Sequence, residues 1–401
     1  MDYEEALEYI FSIPKFSYPL GNDKLSALLK RLGSPQEGMR IIHIAGTNGK
    51  GSAAAMLCAV LEKAGYKTGL FTSPFIQRFN ERIRIAEKQI PDGRLADIVT
   101  QVRNAGADVS QFAFILACAL VYYREENCDF VILEAGLGGR LDATNVIEKS
   151  MVSVIMSIGL DHTEYLGETI AEIAEEKCGI IKQGGTVAAY RNADEAAEVI
   201  ERECKRKNAK LILAPAVEKR PGGFFADGVE YKLSLGVEYQ AKNAAAALAA
   251  VKALRGMGVD ISDKAVHKGL AECRWPGRFQ YVRENIIVDG GHNPDGIDAL
   301  CRSVSGIAGK KTAVVAMMQD KAVSECMKLI SETFDEVIAT ELEMPRCMKA
   351  ERLAQIAADF GVKVRAKEKY SEAFAAAEHE KGTAVICGSL FLAGKALDYF
   401  A

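Results

Sequence analysis

Short apolar runs alternate with amphipathic stretches along most of this chain. The acidic N-terminus, Met1-Asp2-Tyr3-Glu4-Glu5, opens an amphipathic helix. Strands are then expected at 40–45, 67–72, 130–134, 151–155 and 186–189, each an aliphatic or β-branched run. Helical patterns fill 22–32, 52–64, 94–104, 111–125 and 193–207. The stretch 223–235 reads as a short β excursion leading into an alanine-rich helix at 240–254. Pro276-Gly277 then breaks the pattern, and a second series follows with strands at 285–289, 312–316, 336–340 and 383–387. Alternation of this kind predicts an α/β protein with parallel sheets flanked by helices. The break divides it into domains at 1–274 and 278–401, with no internal repeat or low-complexity tract.

Composition narrows the class. In 401 residues, 49% are hydrophobic and 26% charged, as in an ordinary soluble globular protein. A net charge of −4 supplies no general basic surface, so no nucleic-acid partner is expected. The longest apolar stretch, 112–123, is too short to span a bilayer, so no membrane association is expected either. Ten cysteines are scattered without a C-x-x-C pair, several in apolar patterns, which fits reduced thiols in the cytoplasm. None of the five histidines pairs with a cysteine at zinc-ligand spacing.

The chemistry concentrates where strands end. After the first apolar run comes Gly46-Thr47-Asn48-Gly49-Lys50-Gly51-Ser52, followed by a helical pattern. Strand, glycine loop and helix together present backbone N–H groups and a helix dipole to a phosphate. Lys50 adds a mobile charge for the outer phosphates, and Ser52 a hydroxyl for a metal-bound phosphate or for the helix cap. The spacing between the glycines is two residues shorter than in the ordinary G-x-x-x-x-G-K-[ST] loop. The loop predicts ATP binding.

Three further strand ends carry polar residues. Ser73, in Thr72-Ser73-Pro74-Phe75, is either a ligand for Mg²⁺ or a turn serine. Glu134 closes an apolar strand and precedes Gly136-Leu137-Gly138-Gly139-Arg140-Leu141-Asp142-Ala143-Thr144-Asn145. An acid so placed commonly holds Mg²⁺ directly or through water. His162, in Gly159-Leu160-Asp161-His162, is a metal ligand, a general acid or base, or a hydrogen-bonded structural residue. With Ser73 and Glu134 it suggests one shared metal. Lys177 precedes Cys178-Gly179 and reads, on sequence alone, as a solvated helix-end charge. Asp289-Gly290-Gly291-His292-Asn293-Pro294 is a Gly-rich strand end in the second series.

Together these motifs resemble the Mur ligase superfamily and, within it, the folylpolyglutamate synthase/dihydrofolate synthase family. The resemblance runs in order through the loop 46–52, Thr72-Ser73-Pro74 with Arg78-Phe79-Asn80-Glu81-Arg82, and 134–145. It continues through Leu160-Asp161-His162, Lys177-Cys178-Gly179-Ile180-Ile181-Lys182, Tyr239-Gln240-x-x-Asn243, Trp275-Pro276-Gly277-Arg278, 289–294 and Gly388-Ser389-Leu390.

The resemblance implies a P-loop ATPase domain with a mostly parallel sheet, then a smaller Rossmann-like domain, with the active site in the cleft between them. It implies ATP and Mg²⁺, as a pair of ions, with Ser73, Glu134 and His162 as ligands. Lys177 matches a lysine that in this superfamily is carbamylated by CO₂. Asn243, Arg278 and Asp289 match nucleotide-contacting positions, with His292 beside them. Asp142 and Ala143 match the pterin-side loop, while Phe75 and Arg82 belong to a segment lining the folate pocket. The implied activity is ligation of L-glutamate to a folate through an acyl phosphate, by a monomer. The run 138–145 resembles members that also take dihydropteroate, whereas Phe75 after Pro74 resembles members restricted to polyglutamylation. Three departures stand out: Phe112-Ala113-Phe114-Ile115-Leu116 lacks a usual Glu and Thr, the 90–110 connection is short, and Ala322 replaces an Asp after Asp320-Lys321. The rival readings are a Mur-type ligase with another acceptor and a nucleotide-regulated binding protein without ligase activity.

Overall fold

The structure is a computed structural model that describes residues 1–15, 21–234 and 236–401. It divides into two compact units. One comprises Met1–Gly236 with Gln240–Cys273, the other Val237–Tyr239 with Arg274–Ala401.

The first unit is built on β1 (Ile41–Ala45), β2 (Thr68–Phe71), β3 (Ile83–Ile85), β4 (Lys88–Gln89), β5 (Phe130–Glu134), β6 (Val152–Ile155), β7 (Thr186–Ala189) and β8 (Lys210–Leu213). Their order in the sheet is β4-β3-β2-β5-β1-β6-β7-β8. From β2 to β8 the strands are parallel; β3 and β4 add an antiparallel edge. Every residue of β1, β2, β5 and β6 is buried, as expected for parallel strands covered on both faces. The register pairs Ile44 with Glu134, Phe71 with Leu133 and Ala45 with Ile155. The carboxyl ends of β1, β2, β5 and β6 therefore share one edge, where ligands collect in such sheets.

Helices cover the sheet, and Gln111–Glu125 is the most deeply packed, with eleven consecutive residues from Ala113 to Tyr123 buried. The helix after β1 begins at Lys50, two residues before the expected start, because Gly49 serves as a left-handed N-cap. The expected β excursion is an antiparallel three-stranded sheet of β9 (Glu218–Arg220), β10 (Gly223–Ala226) and β11 (Val229–Lys232). Its predicted last residue, Leu235, lies outside the described residues. The alanine-rich helix runs longer than its pattern, over Glu238–Gly256.

The second unit carries β12 (Gln280–Arg283), β13 (Ile286–Val288), β14 (Lys311–Val315), β15 (Glu336–Glu341), β16 (Lys363–Lys369) and β17 (Thr383–Cys387). Their order is β12-β13-β17-β14-β15-β16, parallel except for the β12 edge. Separate apolar clusters around Ile287–Val315–Val337 and Ile338–Phe374–Ile386 fill its two faces. Among the described residues no helix is long and apolar enough to cross a membrane.

Candidate active site

The loop after β1 is clamped from two sides. Thr47 donates its N–H to the Ser157 carbonyl at 2.7 Å, and its hydroxyl bonds both the carbonyl (3.0 Å) and the N–H (3.1 Å) of Gly159. On the other side, Asn243 presses against Gly49. A Cβ at Gly49, where φ is +80°, would lie 2.2 Å from Asn243 Oδ1. Asn243 donates to Gln240 Oε1 at 3.1 Å, and Gln240 Nε2 donates to Ser52 Oγ at 3.2 Å. Two residues of the helix Glu238–Gly256 thus hold the loop and the first turn that follows it. Gly49→Ala combines a strained backbone with a clash against Asn243. It should weaken ATP binding at least tenfold and lower Tm by several degrees, as titration calorimetry and thermal melting would read.

Two lysines converge on one carbonyl. Lys50 Nζ donates to Gly46 O at 2.9 Å and to Thr47 O at 3.1 Å, while Lys177 Nζ donates to the same Gly46 O at 3.1 Å. Lys177 is only 4% exposed, so the solvated helix-end charge expected of it is not what the fold makes. Burial, reinforced by the Lys50 ammonium, pushes its amine down to about 7, against the pull of Asp161 and Asp142. Its neutral form is therefore far more accessible than that of an exposed lysine.

At the ends of β2 and β5, the Ser73 N–H donates to Glu134 Oε2 at 3.0 Å, so these two predicted ligands meet. Glu134 is buried, and its charge is felt by Arg82, whose guanidinium burial lowers to about 10. Arg82 lies over the rings of Phe75 at 5.5 Å and Phe79 at 5.9 Å. The segment keeps this shape because Glu81 accepts the N–H groups of Ile76, Gln77 and Arg78. His162 is exposed and left-handed at φ +52°, its N–H bonded to Asp161 Oδ1 at 3.0 Å. Among the described residues no three His, Cys, Asp or Glu side chains converge as a ready-made metal cage. Oxygen donors from Ser73 and Glu134 nevertheless suit Mg²⁺, which is usually held by one or two carboxylates together with substrate phosphates and water.

The 136–145 loop is braced by its own acid. Asp142 Oδ2 accepts the N–H groups of Gly136 (3.0 Å) and Leu137 (2.9 Å), and Oδ1 accepts the Thr144 N–H (2.9 Å) and hydroxyl. Ala143 is half-buried beside it. Phe112 packs on Phe71 with centroids 5.5 Å apart, while Ala113 and Leu116, where the usual Glu and Thr are missing, are simply core. In the second unit, Asp289 is equally occupied: it takes Tyr239 OH at 2.6 Å and the N–H groups of Phe279 (2.9 Å) and Gly291 (2.7 Å). Arg278 Nε is buried without a hydrogen-bond partner among the described residues, and His292 Nδ1 lies 2.9 Å from Gly290 O. Sequence reasoning passed over Gln240, Asp161 and His43, although all three stand inside or beside the motifs it used.

Comparison with known proteins matches two segments of the chain in order. Residues 44–251 match the Mur ligase middle domain, and residues 277–390 match the Mur ligase glutamate ligase domain. A nucleotide loop after the central strand of a parallel sheet, followed by that second domain, defines a Mur-type ligase. The folylpolyglutamate synthase of Lacticaseibacillus casei is 33% identical over 98% of this chain and 97% of its own length. The dihydrofolate synthase/folylpolyglutamate synthase of Bacillus subtilis is 34% identical over 88% of each. Among solved structures, Escherichia coli FolC in complex with DHPP and ADP superposes with a TM-score of 0.89 at 29% identity, covering 99% of this chain and 97% of that one. The chain belongs to the folylpolyglutamate synthase/dihydrofolate synthase family.

Proposed function

We propose that this chain is an ATP-dependent ligase that joins L-glutamate to folates, and to dihydropteroate as well. The observation that carries the reading is the pair Lys50 and Lys177 on the Gly46 carbonyl, within a chain matched almost end to end by enzymes of that name. A carboxylate is a poor acyl donor because it has no viable leaving group. The acceptor's carboxylate oxygen attacks the γ-phosphorus, the bond to ADP breaks, and an acyl phosphate forms. The glutamate amine then attacks the acyl carbon, phosphate leaves with the bonding pair, and the amine proton passes to solvent.

The residues act by position and charge. Backbone N–H groups of the 46–52 loop and the helix start seat the phosphates, and Lys50 neutralises charge on the outer ones. Arg82 with Phe75 offers a cation and an aromatic face suited to an aromatic acid, and the loop bearing Asp142 and Ala143 would take the pterin end. Arg278, Asp289, His292 and Asn243 are our candidates for further nucleotide contacts. Mg²⁺ would supply added charge neutralisation on the phosphoryl group. Ser73, Glu134 and His162 are proposed to hold it, joined by Lys177 once its neutral amine has added CO₂ and lost a proton. The ten cysteines are free thiols, all but Cys128 buried, which supports a reducing, cytoplasmic setting.

The test is direct. Purified protein with ATP, Mg²⁺ and L-glutamate should release phosphate with dihydropteroate and with tetrahydrofolate, each product heavier by one glutamyl residue in mass spectrometry. Turnover with tetrahydrofolate alone would confine the enzyme to polyglutamylation, and turnover with neither would overturn the reading. Glu134→Gln keeps an acceptor for the Ser73 N–H but removes the charge. It should cut turnover about 10²-fold and raise the Mg²⁺ concentration needed, with little change in Tm. An unchanged Mg²⁺ titration would remove Glu134 from the metal and leave it a structural role, with the Ser73 N–H among its contacts.

A further inference from the structure

His43 is fully buried in β1, three residues before Gly46. Its Nε2 lies 2.7 Å from Thr144 Oγ1, across 101 residues of sequence, and its Nδ1 has no hydrogen-bond partner among the described residues. The direction of each hydrogen bond follows from counting protons. Asp142 receives three N–H groups, two on Oδ2 and one on Oδ1, and donors on both oxygens favour the acceptor-only carboxylate against the upward push of its burial. The single hydroxyl proton of Thr144 is thereby committed to Asp142 Oδ1. Thr144 Oγ1 can then only accept from His43, which places the imidazole proton on Nε2 and leaves Nδ1 bare. A bare buried acceptor is also less costly than an orphaned N–H.

Burial holds the ring neutral, pushing it down to about 3, with the Lys182 charge acting in the same sense. The opposite side of the loop is tied down too. Asn22 Nδ2 donates to the Asp142 carbonyl at 2.9 Å, and Lys182 Nζ donates to Asn145 Oδ1 at 2.8 Å. Among these braces, His43 is the one that starts from the strand feeding the nucleotide loop.

We propose that His43 is a positioning residue: as its Nε2–H tautomer it fixes the Thr144 hydroxyl and, through it, Asp142, setting the 136–145 loop against the strand that carries the phosphate loop. Its kinetic consequence rests on the folate-ligase reading above; its structural consequence does not. Because the loop is on the acceptor side, losing this link raises KM for the acceptor more than it lowers kcat or weakens ATP binding.

The experiment compares His43→Gln, whose amide nitrogen reaches the place of Nε2, with His43→Leu and Thr144→Val. His43→Leu should raise the acceptor KM about tenfold, with ATP affinity within twofold of wild type, and His43→Gln should recover most of the loss. The His43→Leu/Thr144→Val double variant should be no worse than the poorer single one. Amide exchange at Gly136, Leu137 and Thr144 should quicken in His43→Leu but not in His43→Gln. Nitrogen-15 spectra of histidine-labelled protein, with only five histidines to assign, should show His43 bare at Nδ1 and protonated at Nε2. A proton on Nδ1, equal damage from Gln and Leu, or unchanged loop exchange in His43→Leu would overturn the proposal. Should wild-type protein turn over no folate-type acceptor, the functional reading falls. The spectra and amide exchange would still decide the role of His43.

Discussion

Lys50→Ala should lose about 10²- to 10³-fold in ligation rate at saturating ATP while its melting temperature stays near that of the wild type. The Lys50 side chain is half-buried, and its amine rests on the Gly46 and Thr47 carbonyls, polar partners that water can replace. Hydrogen bonds of this kind contribute about 1 kcal/mol each, so the folded state loses little by comparison. The transition state loses far more, because charge moving onto the β–γ bridging oxygen has no nearby cation from the loop. A second effect follows from the geometry. Lys50 is one of the two causes that depress the Lys177 amine, so its removal lets that amine rise from about 7. Burial still depresses it, and the shift is upward only in part. Single-turnover phosphate release separates loss of chemistry from loss of ATP binding. Near-wild-type turnover at saturating ATP would remove Lys50 from phosphoryl transfer.

The candidate residues that could be grouped from sequence share a simple property: each lies at the end of an apolar strand or in the few residues after it. Parallel strands all end on one edge, so Ser73, Glu134 and His162 could be grouped beside the 46–52 loop without knowing which strands pair. What failed was whatever depended on distant neighbours. Lys177 reads as a solvated charge because it sits at the end of its helix, Ile170–Cys178, just before Gly179, where a cation suits the dipole. Its burial comes from the 136–140 loop crossing the end of that helix. Gly139 permits the crossing, since a Cβ there would stand 2.7 Å from the Lys177 carbonyl oxygen. His43 reads as one more position in an apolar run, and its partner lies 101 residues away. β16, Lys363–Lys369, escaped because charges occupy five of its seven positions. It is an edge strand, where packing asks little of the side chains and charge discourages pairing with another chain. β3, β4 and β12 were missed as short antiparallel additions to otherwise parallel sheets.

The second large effect belongs to Lys177. Lys177→Ala should depress ligation at least as strongly as Lys50→Ala, and formate or acetate at millimolar concentration should restore part of it by supplying an oxygen anion in the vacated space. An unmodified lysine beside Lys50 adds a second cation, which repels Mg²⁺; a carbamate replaces that cation with an anion that can ligate it. Stability should move the other way. The unfolded chain holds the lysine proton up to its ordinary 10.5, whereas the folded amine releases it at about 7. Across that window the unfolded state binds more protons, so wild-type stability rises with pH. Below about 7 both states are protonated, and the full cost of burying a cation is present. Lys177→Met, which keeps the apolar stem and loses the charge, should therefore be more stable than CO₂-free wild type near pH 6, and the difference should fade towards pH 10. Thermal melts across this range, run with and without bicarbonate, read the effect directly. Bicarbonate should stabilise the wild type and leave Lys177→Met unchanged. A wild type indifferent to bicarbonate, together with no rescue of Lys177→Ala by small carboxylates, would leave Lys177 as a buried brace on the Gly46 carbonyl and would transfer metal binding to Ser73, Glu134 and His162 alone.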